Sequence, residues 1–203
     1  MLERKHWYDG WFYANFIDTD FLKIRERLLA YIAPQSKVID IGCGTGRFAI
    51  KLSKKCSAVT GIDISRKMIL YAKKRIEKKP NSNINFQHLS ATCLNNSFHS
   101  KFDYAILSLI LHEVPELTRL EILKNVMKVS RQILILDYHT PQLLSLLGLG
   151  INLIEFLAGS EHYKNFNNFL HLDGASHLIE KSELNIVSQK TNRSRTFSIF
   201  LCN

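Results

Sequence analysis

Of the nine glycines in this 203-residue chain, three stand within five positions, at Gly42, Gly44 and Gly46. They close the run Lys37-Val38-Ile39-Asp40-Ile41, which is short, mostly apolar and rich in β-branched residues, the pattern of a strand buried in a parallel sheet. Glycine reaches backbone angles closed to other residues and lets a ligand approach the main chain. Residues 46–55 then read as a helix, so the segment is strand, tight turn, helix. Open parallel sheets place their ligands at such turns, beyond the carboxyl ends of the strands.

A second strand, Ala58–Asp63, ends in a carboxylate 21 residues beyond Gly42. A carboxylate there can accept hydrogen bonds from both hydroxyls of a ribose. The spacing of the loop separates two ligand classes. A dinucleotide loop reads GxGxxG and aims a helix N-terminus at a pyrophosphate. Here the third glycine comes one residue early, and Asp40 precedes the loop. A carboxylate in that place repels a pyrophosphate but suits a ligand carrying an ammonium group and a sulfonium. The expected ligand therefore resembles S-adenosylmethionine (SAM) more than NAD.

The alternation continues along the chain. Ser65 is a good N-cap and opens a helix to about Lys78. Residues 84–89 read as a third strand and Phe102–Ser108 as a fourth, followed by a helix over Glu116–Val129; residues 132–138 read as a fifth strand. Strands alternating with helices predict a parallel sheet covered on both faces. After residue 140 the rhythm changes to a long apolar helix at 142–158, then a mixed segment to about Ile179. Residues 184–202 read as two strands around the polar turn Thr191-Asn192-Arg193, an antiparallel hairpin at the sheet edge. The expectation is one domain over residues 1–203, α/β and doubly wound, with a mostly parallel seven-stranded sheet and an antiparallel C-terminal hairpin. Residues 1–30 are expected as an N-terminal lid or helix, and 140–180 as an insertion that caps the substrate.

A chain of this length suits a single core, and its 46% apolar and 22% charged residues argue against disorder. The start, Met1-Leu2-Glu3-Arg4-Lys5-His6-Trp7, lacks the apolar region of a signal peptide. Residues 143–157 are too few to span a bilayer and include Asn152 and Glu155. Cys43, Cys56, Cys93 and Cys202 are scattered, with no CxxC and no zinc-like pairing with histidine. Four free thiols in a cytoplasmic protein, without a metal, is the expectation. The net charge of +9 concentrates in residues 51–55 and 66–79. It is either a footprint for nucleic acid or an anionic membrane, or the solvated outer faces of two helices. A single aromatic residue, Tyr71, stands among these lysines, which is no stacking platform.

Asp40-x-Gly42-x-Gly44-x-Gly46, Asp63 and Phe102-Asp103-Tyr104-Ala105-Ile106-Leu107-Ser108 resemble motifs I, II and IV of class I SAM-dependent methyltransferases, over about residues 36–140. Tyr8-Asp9 and Leu111-His112-Glu113 are similar to the small-molecule branch that includes ubiquinone- and menaquinone-biosynthesis methyltransferases. The resemblance implies a Rossmann-like methyltransferase fold, SAM as methyl donor, S-adenosyl-L-homocysteine as product, a small-molecule substrate, and a monomer or homodimer. It also implies roles. Asp40 and the turn Gly42-Cys43-Gly44-Thr45-Gly46 would meet the methionine part of SAM, Asp63 the ribose and Ile64 the adenine. Ser90 and Ala91 stand where the family normally offers an acidic residue to the adenine amino group. Leu107 and Ser108 would lie beside the reactive methyl.

Methyl transfer from a sulfonium is a direct displacement, so the protein need supply little beyond alignment, exclusion of water and sometimes a base. His112, four residues past the fourth strand, is a candidate base or a satisfied loop histidine. Tyr138 and His139 are candidates for a base or substrate-orienting role, or for packing. Glu161-His162-Tyr163 either line a pocket or lie on the surface; Tyr8 and Tyr13 either close a lid or pack. The apolar helix is either sandwiched in the fold or lines an apolar substrate pocket or a partner interface, and it tilts the expected substrate towards a hydrophobic small molecule. Two rivals stand beside this reading. A nucleic-acid or protein methyltransferase has the basic charge for it, but Leu107-Ser108-Leu109-Ile110 departs from the Asn/Asp-Pro-Pro-Tyr/Phe of many amino-group enzymes. A SAM-binding protein without turnover is the other.

Overall fold

The computed structural model describes residues 18–77, 83–98, 100–141 and 146–203. Tyr8, Asp9 and Tyr13 of the expected lid, and the start of the apolar helix at 142–145, lie outside those residues. Seven strands form one sheet: β1 (Lys37–Ile41), β2 (Ala58–Asp63), β3 (Ile84–His88), β4 (Phe102–Ser108), β5 (Ser130–Tyr138), β6 (Ile186–Thr191) and β7 (Phe197–Cys202). Their order is β3-β2-β1-β4-β5-β7-β6. The first five run parallel, β7 runs antiparallel to β5, and β6 antiparallel to β7. This is the expected sheet with its C-terminal hairpin. The chain winds outwards from β1 to β3 and returns to β4 on the other side of β1, so the topological switch falls between β1 and β4. Ile41 pairs with Ile62 on one side and with Leu107 on the other. That register brings Gly42, Asp63 and Ser108 to one edge of the sheet.

Helices cover both faces: α1 (Asp18–Arg25), α2 (Arg47–Leu52), α3 (Arg66–Glu77), α4 (Glu116–Val129), α5 (Leu146–Leu157), α6 (Ser160–His171) and α7 (Gly174–Lys181). On one face Ile39, Ile41, Leu107, Ile133 and Ile135 pack with Ile122, Leu123 and Val126 of α4 and with Phe166, Phe169 and Leu178 of α6 and α7. On the other, Val38, Val59, Ile106, Leu134 and Leu136 meet Phe48 and Leu52 of α2 and Ile69 and Ala72 of α3. Side chains alternate between the faces of a strand, and both faces are covered, which is why these strands read as continuous apolar runs. Ser65 Oγ accepts a hydrogen bond from Met68 N (3.3 Å), capping α3. Met68, Ile69 and Ala72 of that helix are buried while Lys67, Lys73 and Lys74 face water.

In the segment after residue 140 one of the two alternatives falls away. Helix α5 is not sandwiched: Leu149, Leu153, Ile154, Phe156 and Leu157 are exposed, while Ile151 and Glu155 are buried. The carboxylate, not the apolar surface, decides which side faces inwards, because its hydrogen-bond partners lie in the interior. The mixed segment is two helices. In α6 the sparse apolar residues Phe166 and Phe169 fall on one buried face three positions apart, and Asp173 (φ 60°) and Gly174 (φ 61°) break the chain before α7. No helix among the described residues is long and apolar enough to cross a membrane.

Candidate active site

The glycine turn is left-handed three times over, with φ 69° at Gly42, 54° at Gly44 and 76° at Gly46. The three glycines nevertheless serve different ends. A Cβ on Gly42 would stand 2.5 Å from Ile110 Cγ2, and one on Gly46 2.5 Å from the Phe86 ring and 2.9 Å from Ala72 Cβ. Those two make room for the protein's own packing. A Cβ on Gly44 would meet nothing within 4 Å, so here the main chain opens to space that a ligand can enter. Cys43 N donates to Ile62 O (2.9 Å) and Gly46 N to Cys43 O (3.0 Å), which ties the turn to β2. Burial pushes the Cys43 thiol well above its usual range, and the charges of Asp63 and Asp40 push it further; the sulfur is a packed, protonated group. Asp40 itself is buried at the end of β1.

Asp63 joins the two halves of the edge. Its Oδ2 accepts from Gly44 N (2.8 Å) and its Oδ1 from Ser65 N (2.8 Å). The next residue, Ile64, is 65% exposed, an apolar side chain held open beside a charged one. His88 Nε2 bonds Ile64 O (2.9 Å) and tethers this corner to β3. Ser90 Oγ accepts from Thr92 N (3.3 Å) and shares a hydrogen bond with Thr92 Oγ1 (2.8 Å), so its hydroxyl caps the 3-10 turn Ala91–Asn96. Ala91 beside it is half-buried. Leu107 and Ser108 are buried, and the Leu107 side chain belongs to the core. Leu109 adopts φ 60°, a conformation that costs about 1–2 kcal/mol for a residue with a Cβ. Its N–H is held by Leu136 O (2.8 Å), and the bend lays Ile110 over Gly42.

Behind this edge lies a buried polar network. His112, in the 3-10 turn Leu111–Glu113, hydrogen-bonds through Nδ1 to Asp137 Oδ1 (2.6 Å). Asp137 also accepts from Leu111 N (3.1 Å) and Tyr138 N (2.8 Å). The Tyr138 hydroxyl donates to Glu155 Oε1 (2.7 Å), and Glu155 Oε2 pairs with His162 Nε2. His112 and Tyr138, candidates from separate stretches, therefore come together, their rings 4.7 Å apart. His139 does not join them. Strand alternation turns it the other way, with Nδ1 on Ser198 Oγ (2.9 Å) and Nε2 3.4 Å from Arg195.

The electrostatics follow from this packing. Burial works to lower the His112 pKa, but the carboxylates of Asp137 and Glu155 outweigh it and hold it up at about 9. In this arrangement the ring is an imidazolium at neutral pH, without a lone pair for a substrate proton. Burial and the neighbouring Glu155 raise the Tyr138 phenol well above its usual range. Burial and then Arg195 lower the His139 pKa. Burial lifts the half-buried Glu113 to about 7 against the pull of His112 and His162. Sequence reasoning passed over Asp137, Glu155 and Glu113 as site residues; the available signal was a lone acid in an apolar strand and another in an apolar helix. It also passed over Arg119, which is buried and donates to Leu111 O (2.7 Å), Asn168 Oδ1 (2.9 Å) and Asn165 O (2.6 Å). That guanidinium bolts α4 and α6 to the turn carrying His112.

Comparison with known proteins bears on this edge. A family profile for the methyltransferase domain matches residues 32–191. Demethylmenaquinone methyltransferase from Staphylococcus haemolyticus is 34% identical over 111 residues, covering 52% of this chain and 45% of that protein. The chain spans less than half the length of the curated relatives it matches. Among solved structures, magnesium protoporphyrin IX methyltransferase from Synechocystis with bound S-adenosylhomocysteine superposes with a TM-score of 0.65 at 17% identity, over 93% of this chain and 87% of the other. The N-methyltransferase NodS from Bradyrhizobium japonicum, also with S-adenosylhomocysteine, gives 0.64 at 17% identity, over 96% and 91%. At such identities the likeness is one of fold. The profile match is different in kind, since it takes in most of the sequence from the residues before β1 to the end of β6: the chain belongs to the methyltransferase domain family.

Proposed function

We propose that this chain transfers the methyl group of SAM to a small, apolar molecule by direct displacement. The observation that carries the reading is the pairing of an open Gly44 with an Asp63 whose carboxylate is already oriented by two backbone N–H groups. A carboxylate accepts hydrogen bonds at both oxygens, which suits Asp63, at the end of β2 beside the open turn, to ribose hydroxyls. Because its orientation is set beforehand, little ordering is lost on binding. Asp40 and the backbone of residues 42–46, Cys43 included, would hold the amino-acid end. Ile64 would give the base an apolar platform, with Ser90 and Ala91 at its rim. The bound donor supplies a methyl on a sulfonium leaving group, and the chain's own task is to align the acceptor and exclude water. Leu107, Ser108, His112 and Tyr138 would shape the floor of the acceptor pocket, with His139 at its outer margin. A hydrophobic acceptor is supported by relatives named for demethylmenaquinone and magnesium protoporphyrin IX.

Calorimetry with SAM and S-adenosylhomocysteine tests the cofactor half. Wild type is expected to bind both saturably, and Asp63→Ala to bind at least about tenfold more weakly, as loss of charge-assisted hydrogen bonds implies. An absence of saturable heat, or an unchanged affinity in the variant, sinks the assignment. A panel of phenols, quinols and amines, read by release of S-adenosylhomocysteine, tests the acceptor half. Turnover confined to RNA or protein would overturn it.

A further inference from the structure

His112, Glu155 and His162 are only 3%, 5% and 8% exposed, and they come from three separate segments: the turn after β4, α5 and α6. One ligating atom from each lies within 4.8 Å of the other two. We propose that these three side chains form a site for a single divalent cation of the zinc class, which pins α5 and α6 to the carboxyl end of β4 and β5. Its three ligands are distinct from the glycine turn and Asp63.

Four observations carry the proposal. The donor set is two imidazoles and one carboxylate, which suits zinc, whereas calcium and magnesium take oxygen ligands. Donors around a zinc ion with bonds of about 2.0–2.1 Å stand roughly 3.3 Å apart. Glu155 Oε1 stands near that value, 3.8 Å from His112 Nε2, and Glu155 Oε2 is in hydrogen-bond contact with His162 Nε2. His112 is oriented for the task, because Nδ1 is engaged by Asp137 at 2.6 Å and Nε2 is thereby directed at Glu155. A carboxylate behind a ligating histidine is the usual outer-shell arrangement, fixing tautomer and ring direction. Finally, α5 turns its one acid inwards and leaves five large apolar residues in water. An orientation so costly in exposed surface follows if the inward group ties the helix down.

The experiment uses the whole chain, freed of metal with a chelator and then titrated with zinc chloride by calorimetry, with cobalt(II) as an absorbing substitute. Wild type is expected to bind one equivalent of zinc, with a higher melting temperature, and to give cobalt the intense bands of a four- or five-coordinate nitrogen/oxygen site without thiolate charge transfer. Glu155→Gln, which keeps an acceptor for Tyr138, and His162→Ala are expected to lose at least about 100-fold in zinc affinity while binding S-adenosylhomocysteine as wild type does. Zinc binding by either variant at wild-type strength overturns the site, as does the absence of a saturable single equivalent in wild type. If the variants fail to bind S-adenosylhomocysteine and so have misfolded, the cobalt spectrum of wild type decides: six-coordinate or thiolate-type absorption overturns the proposal.

Discussion

A methyl group added at Gly46 and one added at Gly44 meet different surroundings although the two positions lie on the same turn. At Gly46 the methyl would press on the Phe86 ring and on Ala72, both buried. Overpacking of about 1–3 kcal/mol then adds to about 1–2 kcal/mol for the left-handed backbone. At Gly44 only the backbone cost applies, but the methyl enters the open space. Gly46→Ala is therefore expected to lower the urea midpoint strongly, and Gly44→Ala to lower it less while weakening SAM binding at least about tenfold by calorimetry. Equal losses of stability would contradict the division of labour. The turn and the place of Asp63 were legible in the sequence because local patterns dictate them: positive φ demands glycine, and an apolar strand run ends at the carboxylate. The network behind them was not legible. Asp137 lies 25 residues from His112, and Glu155 lies 17 from Tyr138. Nothing local announces such partners. Ser90 carries a local role as well, its hydroxyl capping the turn that follows through Thr92 two positions on.

Among the elements, the central strands and α4 could be read directly, since a buried run or a clear helical period defines each one. Helix α5 could be located but not oriented. It is apolar on nearly every side, so periodicity does not single out an inner face, and a partner distant in sequence chooses it. Helix α6 was hidden by its polar residues, which outnumber the aromatic ones that hold it down. The orientation of α5 is open to a stability measurement. Leu153→Ser is expected to shift unfolding free energy by no more than about 0.5 kcal/mol, as for other exposed sites, whereas Ile151→Ala, at a buried site, is expected to lose about 2–4 kcal/mol. Comparable losses at the two positions would mean that the helix faces the other way.

For the whole molecule, stability should be greatest where the sheet is covered on both faces and paired on both sides. Strands β1, β4 and β5 meet that description, while β6 is an edge strand with most of its side chains in water. Amide hydrogen exchange followed by mass spectrometry is expected to be slowest in β1, β4 and β5 and orders of magnitude faster in β6. Comparable protection in β6 would place the core elsewhere. Within this frame Phe86 has a reach beyond its own strand. Its ring, sealed from solvent on β3, fills the hollows beside both Gly46 and Gly61. Gain of a side chain at either glycine has to be matched by a smaller group at position 86, so the three can change over evolutionary time only in concert. The contour of the glycine turn is thus inherited from an interior phenyl group two strands away from β1.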